Sequence, residues 1–198
     1  MTDQNQRTSE HGVAPIFLER WSPRAFVPQA MPQADLLTIL EAARFAPSAV
    51  NLQPWRFIYA HRDTPAWEKM LPTLYDFNAG WAKNASVMLL LFSQKTTKAK
   101  DTGEDKAVIS HAFDAGAAWM SLALQAQMLG YHAHAMGGVH HDKTAEIYDI
   151  PASYRLEVGI VIGKRGDAAV LPETLQAREG ASPRKPLAEI AREGEFPG

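Results

Sequence analysis

Short polar side chains and two prolines are concentrated between residues 46 and 57, in the segment Ala-Pro-Ser-Ala-Val-Asn-Leu-Gln-Pro-Trp-Arg-Phe. The prolines exclude a regular helix and a central strand, so the chain must turn or extend here. Ser48, Asn51 and Gln53 can then present a hydroxyl, side-chain amides and backbone N–H groups to a polar ligand. A plain loop between a helix and a strand has a similar composition, and local chemistry alone favours that simpler interpretation.

A second group of candidate residues precedes this segment. Arg20, Ser22 and Arg24 occupy alternate positions, so an extended backbone would direct all three side chains to one side. Two guanidinium groups and a hydroxyl suit a phosphate, because arginine offers planar, charged donors. For an isolated motif of this kind, solvated surface arginines are the commoner outcome.

Histidines suggest a different chemistry, metal binding. His132 and His134 would share one face of a strand, and His140 and His141 follow shortly afterwards. The spacing of a zinc-protease helix is missing and the chain has no cysteine. We therefore favour structural or solvent-facing histidines over a metal site.

Hydrophobic periodicity predicts the elements that must position these groups. An amphipathic helix is predicted over residues 33–45 and a long helix over residues 105–129, where His111 and Asp114 could form a structural pair. A charged, solvated loop is predicted between Lys95 and Lys106. The other predictions are short helices at 64–71, 143–148 and 187–192, and strands at 56–60, 87–92, 131–136 and 156–162.

The composition is typical of a globular domain. The chain has 198 residues, 46% of them hydrophobic, with a net charge of -2 and no cysteine. This charge gives no reason to expect nucleic acid as a partner, and the longest apolar run is too short to span a membrane. The lack of cysteine excludes disulfides and fits a cytoplasmic location. We expect a disordered lead-in over residues 1–14, without a signal peptide, and a single domain over residues 15–198.

The pattern Ala-Pro-Ser-x-x-Asn-x-Gln-Pro-Trp-x-Phe closely resembles a signature of the FMN-dependent nitroreductase family. The Arg-x-Ser-x-Arg motif, the glycine pair at residues 137 and 138, and Arg-Lys-Pro-Leu at residues 184–187 resemble further motifs of that family in the same order. The resemblance covers about residues 15 to 192.

The resemblance implies an α+β nitroreductase-like fold, in which helices surround a central, mostly antiparallel sheet, and an intertwined homodimer with FMN at its interface. The small-residue face around Ala112, Gly116 and Ala123 would lie between the subunits. The implied cofactor-binding residues are Arg20, Ser22, Arg24, Pro47, Ser48, Asn51, Gln53, Asn78, Gly137, Gly138, Arg184 and Lys185. Pro47, Ser48 and Asn51 would reach the FMN whose phosphate the arginines of the other subunit hold, with Arg184 and Lys185 both candidates for that role.

The implied function is an oxidoreductase that transfers hydride from NADH or NADPH through flavin N5 to an electron-poor small molecule by a ping-pong mechanism. Nitroaromatics, quinones and enones are the implied acceptors. No catalytic acid or base is expected, because the cofactor performs the chemistry. The alternatives are a flavin-binding member of the family without turnover and, less favoured, a histidine-rich metal-binding domain.

Overall fold

A four-stranded antiparallel sheet forms the centre of the computed structural model, which describes residues 7–99 and 101–197. The described strands are β1 (Trp55–His61), β2 (Val87–Gln94), β3 (Thr96–Lys98), β4 (Asp105–Ala107), β5 (His132–Met136) and β6 (Tyr154–Gly163). The sheet order is β1-β2-β6-β5, so β1 and β5 form opposite edges. Strands β3 and β4 make a separate antiparallel hairpin.

Helices cover both faces of the sheet. The described α-helices are α1 (Pro15–Glu19), α2 (Gln33–Arg44), α3 (Pro65–Met70), α4 (Asp76–Ala82), α5 (His111–Met128), α6 (His141–Tyr148) and α7 (Glu173–Gln176). Short 3-10 helices occur at Ala49–Asn51, Leu71–Thr73, Ala168–Val170 and Leu187–Glu189. The predicted α+β class and the mostly antiparallel sheet are confirmed.

The core lies on both sides of β2, whose side chains alternate between the two faces. Val87, Leu89 and Leu91 pack with α2 and α5, whereas Met88 and Leu90 pack with α3 and α4. All five side chains are buried. A strand that is buried on both faces has a continuous run of apolar residues, so β2 could be predicted clearly from the sequence.

The charged segment between Lys95 and Lys106 is not the loop that the sequence predicted. Strands β3 and β4 pair within it, and Lys98 Nζ lies 2.8 Å from Asp105 Oδ1. Charge patterning predicted solvation correctly but could not reveal cross-strand pairing, in which β-branched threonines fit well. Within this segment, residue 100 lies outside the described residues.

Helix α5 begins six residues later than the sequence predicted. Residues 105–107 belong to β4, and the buried Val108 donates its N–H to the Lys95 carbonyl at 2.8 Å, which closes the hairpin before the helix starts. The suggested His111–Asp114 pair is wrong, because His111 Nδ1 lies 2.6 Å from Ser93 Oγ while Asp114 bonds elsewhere.

One face of α5 is buried against α2 and the sheet, and another is open. Ala115, Ala118 and Leu122 are buried, whereas Ala112 and Gly116 are exposed. Ala123 is only 2% exposed and packs in this chain's own core. The expectation that Ala123 faces a second subunit is therefore wrong, since helical spacing alone could not separate two faces of small residues.

Candidate functional site

A pocket of about 330 Å³ opens where the segment after α1 meets the C-terminal segment and β5. We call it the arginine pocket. Its lining residues are Arg7, Arg20, Trp21, Ser22, Arg24, His134, Arg178, Gly180 and Ser182. The structure thus brings Arg20, Ser22 and Arg24 together at one cavity, although Trp21 also lines it, so the alternation is not strict.

The backbone around the arginine pocket is held by side chains from distant parts of the chain. Arg7 donates to the carbonyl oxygens of Arg20 at 2.7 Å and of Ser182 at 2.9 Å. A Glu179 carboxylate oxygen accepts the backbone N–H groups of Arg24 and Ala25, both at 2.8 Å. These bonds fix the N-terminal and C-terminal segments against each other.

The arginine pocket is strongly cationic. Burial, followed by the nearby charge of Arg184, lowers the pKa of Arg20, and burial followed by Arg178 lowers the pKa of Arg24. None of the ion pairs among the described residues includes an arginine of this pocket. The Glu179 carboxylate opposes the decrease at Arg24 but forms no ion pair with its guanidinium group, so an anion such as phosphate would still relieve the crowded arginine charges.

His134 forms the inner wall of the arginine pocket. Its Nδ1 lies 2.9 Å from the Pro23 carbonyl oxygen, and its ring centre lies 4.7 Å from that of Trp81. Burial lowers the pKa of His134 to about 4. The hydrogen bond to the Pro23 carbonyl opposes this decrease, and the charges of Arg24 and Arg20 add to it. The imidazole is therefore neutral at pH 7, and because a carbonyl only accepts, Nδ1 carries the proton.

A glycine turn at residues 137 and 138 follows β5, three to four residues beyond His134. The side chain of Asn78, in the first turn of α4, donates to the Gly138 carbonyl at 3.1 Å, and Tyr75 donates its backbone N–H to the same oxygen at 3.0 Å. A Cβ added at Gly138 would lie 2.5 Å from Asn78 Nδ2, whereas one added at Gly137 would meet nothing within 4 Å. Gly137 thus leaves backbone open to a flat ligand.

The segment of Pro47, Ser48, Asn51 and Gln53 forms a tight turn before β1. Ser48 Oγ accepts the backbone N–H of Gln53 at 2.9 Å, and the Gln53 side chain reaches Asn51 Oδ1 at 3.2 Å. The backbone φ angles are 48° at Val50, 55° at Asn51 and 51° at Gln53. Such angles are uncommon outside glycine, so the turn is held in an unfavourable conformation.

The turn and the arginine pocket lie at opposite corners of the sheet. The turn leads into Trp55 on the edge strand β1, while His134 lies on the other edge strand and pairs with Val161, which pairs with Met88. Across the sheet, Trp55 and His134 are three strand spacings apart, at roughly 4.8 Å each. Along the strands they are about five residues apart, at roughly 3.3 Å each, so the total separation is over about 20 Å. One chain therefore does not bring all the predicted residues together.

The two basic residues near the C-terminus lie in different surroundings, and which of them contacts phosphate stays a prediction. Arg184 lies close enough to lower the pKa values of both Arg7 and Arg20, after the effect of burial. Lys185 is exposed and, within the described part of the chain, makes no hydrogen bond or ion pair. The geometry favours Arg184 as the neighbour of the arginine pocket.

Six lining residues were not predicted as pocket residues from the sequence: Arg7, Trp21, His134, Arg178, Gly180 and Ser182. Arg7 and Arg178 lie in polar terminal segments without periodicity or motif, so no local pattern distinguished them from surface arginines. Only contacts spanning most of the chain bring them to the cavity. Among residues 7–99 and 101–197, no cluster of three potential metal ligands is present.

Known proteins resemble this chain in sequence and in structure. A sequence model of the Nitroreductase family matches residues 18–78 and 60–164. The chain belongs to the nitroreductase family. Among the residues that the structure describes, none of the helices combines the length and apolarity that a bilayer crossing requires.

Relatives within the nitroreductase family cover most of the chain. The Bacillus subtilis protein named "Putative NAD(P)H nitroreductase YdgI" is 27% identical over 165 residues, which is 67% of this chain and 78% of that protein. A solved structure described as an oxidoreductase containing FMN is 52% identical, covers 99% of this chain and 98% of its own, and has a TM-score of 0.94. A Desulfovibrio desulfuricans structure in complex with FMN is 25% identical over 95% of this chain and 99% of its own, with a TM-score of 0.71.

Proposed function

We propose that this protein is an FMN-dependent oxidoreductase that transfers hydride from NADH or NADPH to an electron-poor small molecule. The observation that carries the proposal is the arrangement along β5, which runs beside the cationic arginine pocket and ends at an open glycine turn. That spacing suits a ligand with a phosphate at one end and a flat ring at the other. The FMN-containing relatives support the same cofactor.

The phosphate end would be held by charged donors. Arg20 and Arg24 would donate to phosphate oxygens, with Ser22 adding a hydroxyl, and Arg184 would supply further positive charge. Burial, followed by neighbouring arginine charges, lowers the pKa values of Arg20 and Arg24, which fits this role because a bound dianion would offset both effects. Neutral His134 would accept from a hydroxyl rather than bind phosphate.

The ring end would lie over backbone rather than over charged side chains. Gly137 and Gly138 would let the main chain approach the flat face, and Asn78 would hold that turn through the Gly138 carbonyl. Bound FMN would accept hydride from the nicotinamide and deliver it to the second substrate. The protein would orient the cofactor and leave one ring face open to nitroaromatic, quinone or enone acceptors in turn.

The second half of each site would come from another copy of the chain. Pro47, Ser48, Asn51 and Gln53 lie over 20 Å from the arginine pocket by the strand spacing above, too far for one small ligand to contact both within a chain. A homodimer would bring the turn of one subunit to the FMN of the other. The open face of α5 at Ala112 and Gly116 is available for such a contact.

An absorption spectrum of the purified protein tests the proposal most directly. We expect flavin bands, release of FMN on denaturation, and oxidation of NADH or NADPH when menadione or a nitroaromatic is added. Protein that is colourless and takes up no added FMN would overturn the proposal. Flavin that stays oxidised with both nucleotides would indicate a flavin-binding protein without turnover.

Arginine variants test the phosphate site separately. Loss of one charge-assisted contact costs about 1.5–3 kcal/mol, so Arg20→Ala and Arg24→Ala should each weaken FMN binding about ten- to a hundredfold. Lys143→Ala, which removes one exposed positive charge from α6, is the matched control and should bind FMN as the wild type does. Wild-type affinity in both arginine variants would make them ordinary surface residues.

A further inference from the structure

The turn at residues 48–53 is stabilised by a hydrogen bond from another element as well as by hydrogen bonds within the turn. Consecutive positive φ angles at Val50 and Asn51 are unusual, and valine is among the residues least suited to them. The Val50 side chain is 95% exposed, so burial of that side chain does not explain the conformation. Something else in the structure must stabilise it.

The carboxylate of Asp114, on the first turn of α5, contacts this turn. Its Oδ2 accepts the backbone N–H of Ala49 at 3.3 Å and the hydroxyl of Ser110 at 2.9 Å. Ala49 opens the 3-10 helix that ends at Asn51. Within the described residues, this bond is the one side-chain hydrogen bond that links the turn to α5.

Asp114 is only 2% exposed, and no cation lies within ion-pair distance of it among the described residues. Burying a carboxylate without a cation is costly, and neutral donors together with the N-terminal end of a helix offset that cost only in part. An alanine would suit this alanine-rich helix better. Besides its bond to Ser110 at the start of α5, this buried acceptor therefore serves the turn through the Ala49 N–H.

We infer that Asp114 is a positioning residue, which fixes the turn bearing Ser48 and Asn51 in the conformation that binds FMN. This inference rests on the proposed function, in which that turn contacts the cofactor. Asp114 itself touches no ligand and acts through the Ala49 backbone. It also connects the turn to α5, so movement of the helix would move the turn.

The test compares FMN dissociation constants, measured by flavin fluorescence, for Asp114→Ala, Asp114→Asn, Asn51→Ala and Arg20→Ala. We expect Asp114→Ala to weaken binding about tenfold, and Asp114→Asn to stay near the wild type because its amide oxygen still accepts. Asp114→Ala combined with Asn51→Ala should lose less affinity than the product of the two single losses, because both variants act on the same turn. Combined with Arg20→Ala, the two losses should multiply.

Asp167→Ala is the matched control, since Asp167 Oδ1 accepts the Ala169 N–H at 2.9 Å in a comparable 3-10 turn that no side-chain hydrogen bond among the described residues links to residues 48–53. It should leave FMN affinity unchanged. If Asp114→Ala does not fold, as judged by circular dichroism, Asp114→Ser replaces it, because the shorter side chain keeps a polar group but cannot reach Ala49.

The outcomes separate this inference from the proposed function. The positioning role alone would be overturned if Asn51→Ala binds FMN weakly while Asp114→Ala binds it as the wild type does. It would also be overturned if the losses of affinity in Asp114→Ala and Asn51→Ala multiply in the double variant. Wild-type protein that binds no FMN would overturn the proposed function, and the inference with it.

Discussion

At the scale of single residues, the two adjacent glycines after β5 make different demands on their surroundings. Gly138 leaves no room for a Cβ beside Asn78 Nδ2, whereas Gly137 faces open space. Gly138→Ala should lower the free energy of unfolding by about 0.5–1.5 kcal/mol, because Asn78 must move and lose its hydrogen bond to the Gly138 carbonyl. Gly137→Ala should change it by less than about 0.5 kcal/mol, as urea denaturation of the FMN-free protein would show.

The same pair of variants reports on the ligand. If the backbone at residue 137 approaches the flavin ring, Gly137→Ala should weaken FMN binding without loss of stability. Equal stability of the two variants would contradict the packing argument, and unchanged FMN affinity in Gly137→Ala would remove residue 137 from the site.

His132 should make stability depend on pH. Burial, then Arg165, Lys164 and Arg20, lowers its pKa to about 4, below the ordinary value of 6.5. Between these values the unfolded chain binds a proton that the folded chain does not, so stability decreases as the pH falls from 6.5 towards 4. The free energy of unfolding decreases by at most about 1.4 kcal/mol per pH unit. The actual decrease is smaller, because the ring is partly solvated.

Urea unfolding of FMN-free protein at pH 7.5 and pH 5.5 measures this effect. His132→Gln should reduce the difference in unfolding free energy between the two pH values. His11→Gln, at an exposed histidine, should leave that difference unchanged. An identical pH dependence in wild type and His132→Gln would show that the ring is not held neutral.

Residue-level prediction succeeded where the relevant residues are neighbours in sequence. Arg20, Ser22 and Arg24 were predicted as a group and line one pocket, because their geometry depends on five consecutive residues. Arg7 could not be found that way, since its side chain bonds to the carbonyls of Ser182 and Arg20. Arg178 could not be found either, since it precedes Glu179, whose carboxylate binds the distant Arg24 and Ala25 N–H groups. The roles of all these residues in cofactor binding stay predictions.

At the scale of elements, the two faces of α5 should respond oppositely to a larger side chain. Gly116→Leu meets open space within the chain and gains helix propensity, so the isolated chain should be unchanged or more stable by up to about 1 kcal/mol. Ala123→Leu overfills the core and should destabilise it by about 1–3 kcal/mol.

Thermal unfolding together with light scattering distinguishes these effects. If the open face of α5 meets a second subunit, Gly116→Leu should weaken dimerisation and FMN binding together while the fold persists. A wild-type dimer in Gly116→Leu would exclude this face from the interface.

Elements with a strong, uninterrupted pattern were predicted best. Helix α2 was predicted over residues 33–45 and occupies Gln33–Arg44, because its periodicity is clear and Pro47 follows. The β3–β4 hairpin was missed, since its three-residue strands are exposed or half-buried and carry no apolar alternation. Apolar periodicity at residues 107–109 then extended the predicted helix into β4.

At the scale of the whole molecule, the decisive prediction concerns mixed dimers. One subunit would carry Asn51→Ala and the other Arg20→Ala, and both homodimers would serve as controls. Shared sites place both defects in one pocket and leave the other intact, so half of the FMN sites should bind with wild-type affinity. Sites made within single chains place one defect in each pocket, and no tight site should remain.

The global architecture was predictable because a family resemblance adds the long-range information that local patterns lack. The predicted sheet and surrounding helices are confirmed, whereas periodicity alone gave only the separate elements. Which face of α5 is open depends on how α2 packs against it, and no stretch of the sequence encodes that packing by itself.

The hydrogen bond between Arg7 and the Ser182 carbonyl joins residues that are 175 positions apart. A ribosome makes the chain from its N-terminus, so Arg7 emerges long before Ser182 exists. Contacts of such high sequence separation also form late, because a very long loop must close first. The arginine pocket is therefore completed only after nearly the whole chain has been synthesised. A nascent chain offers no finished cavity to an anion.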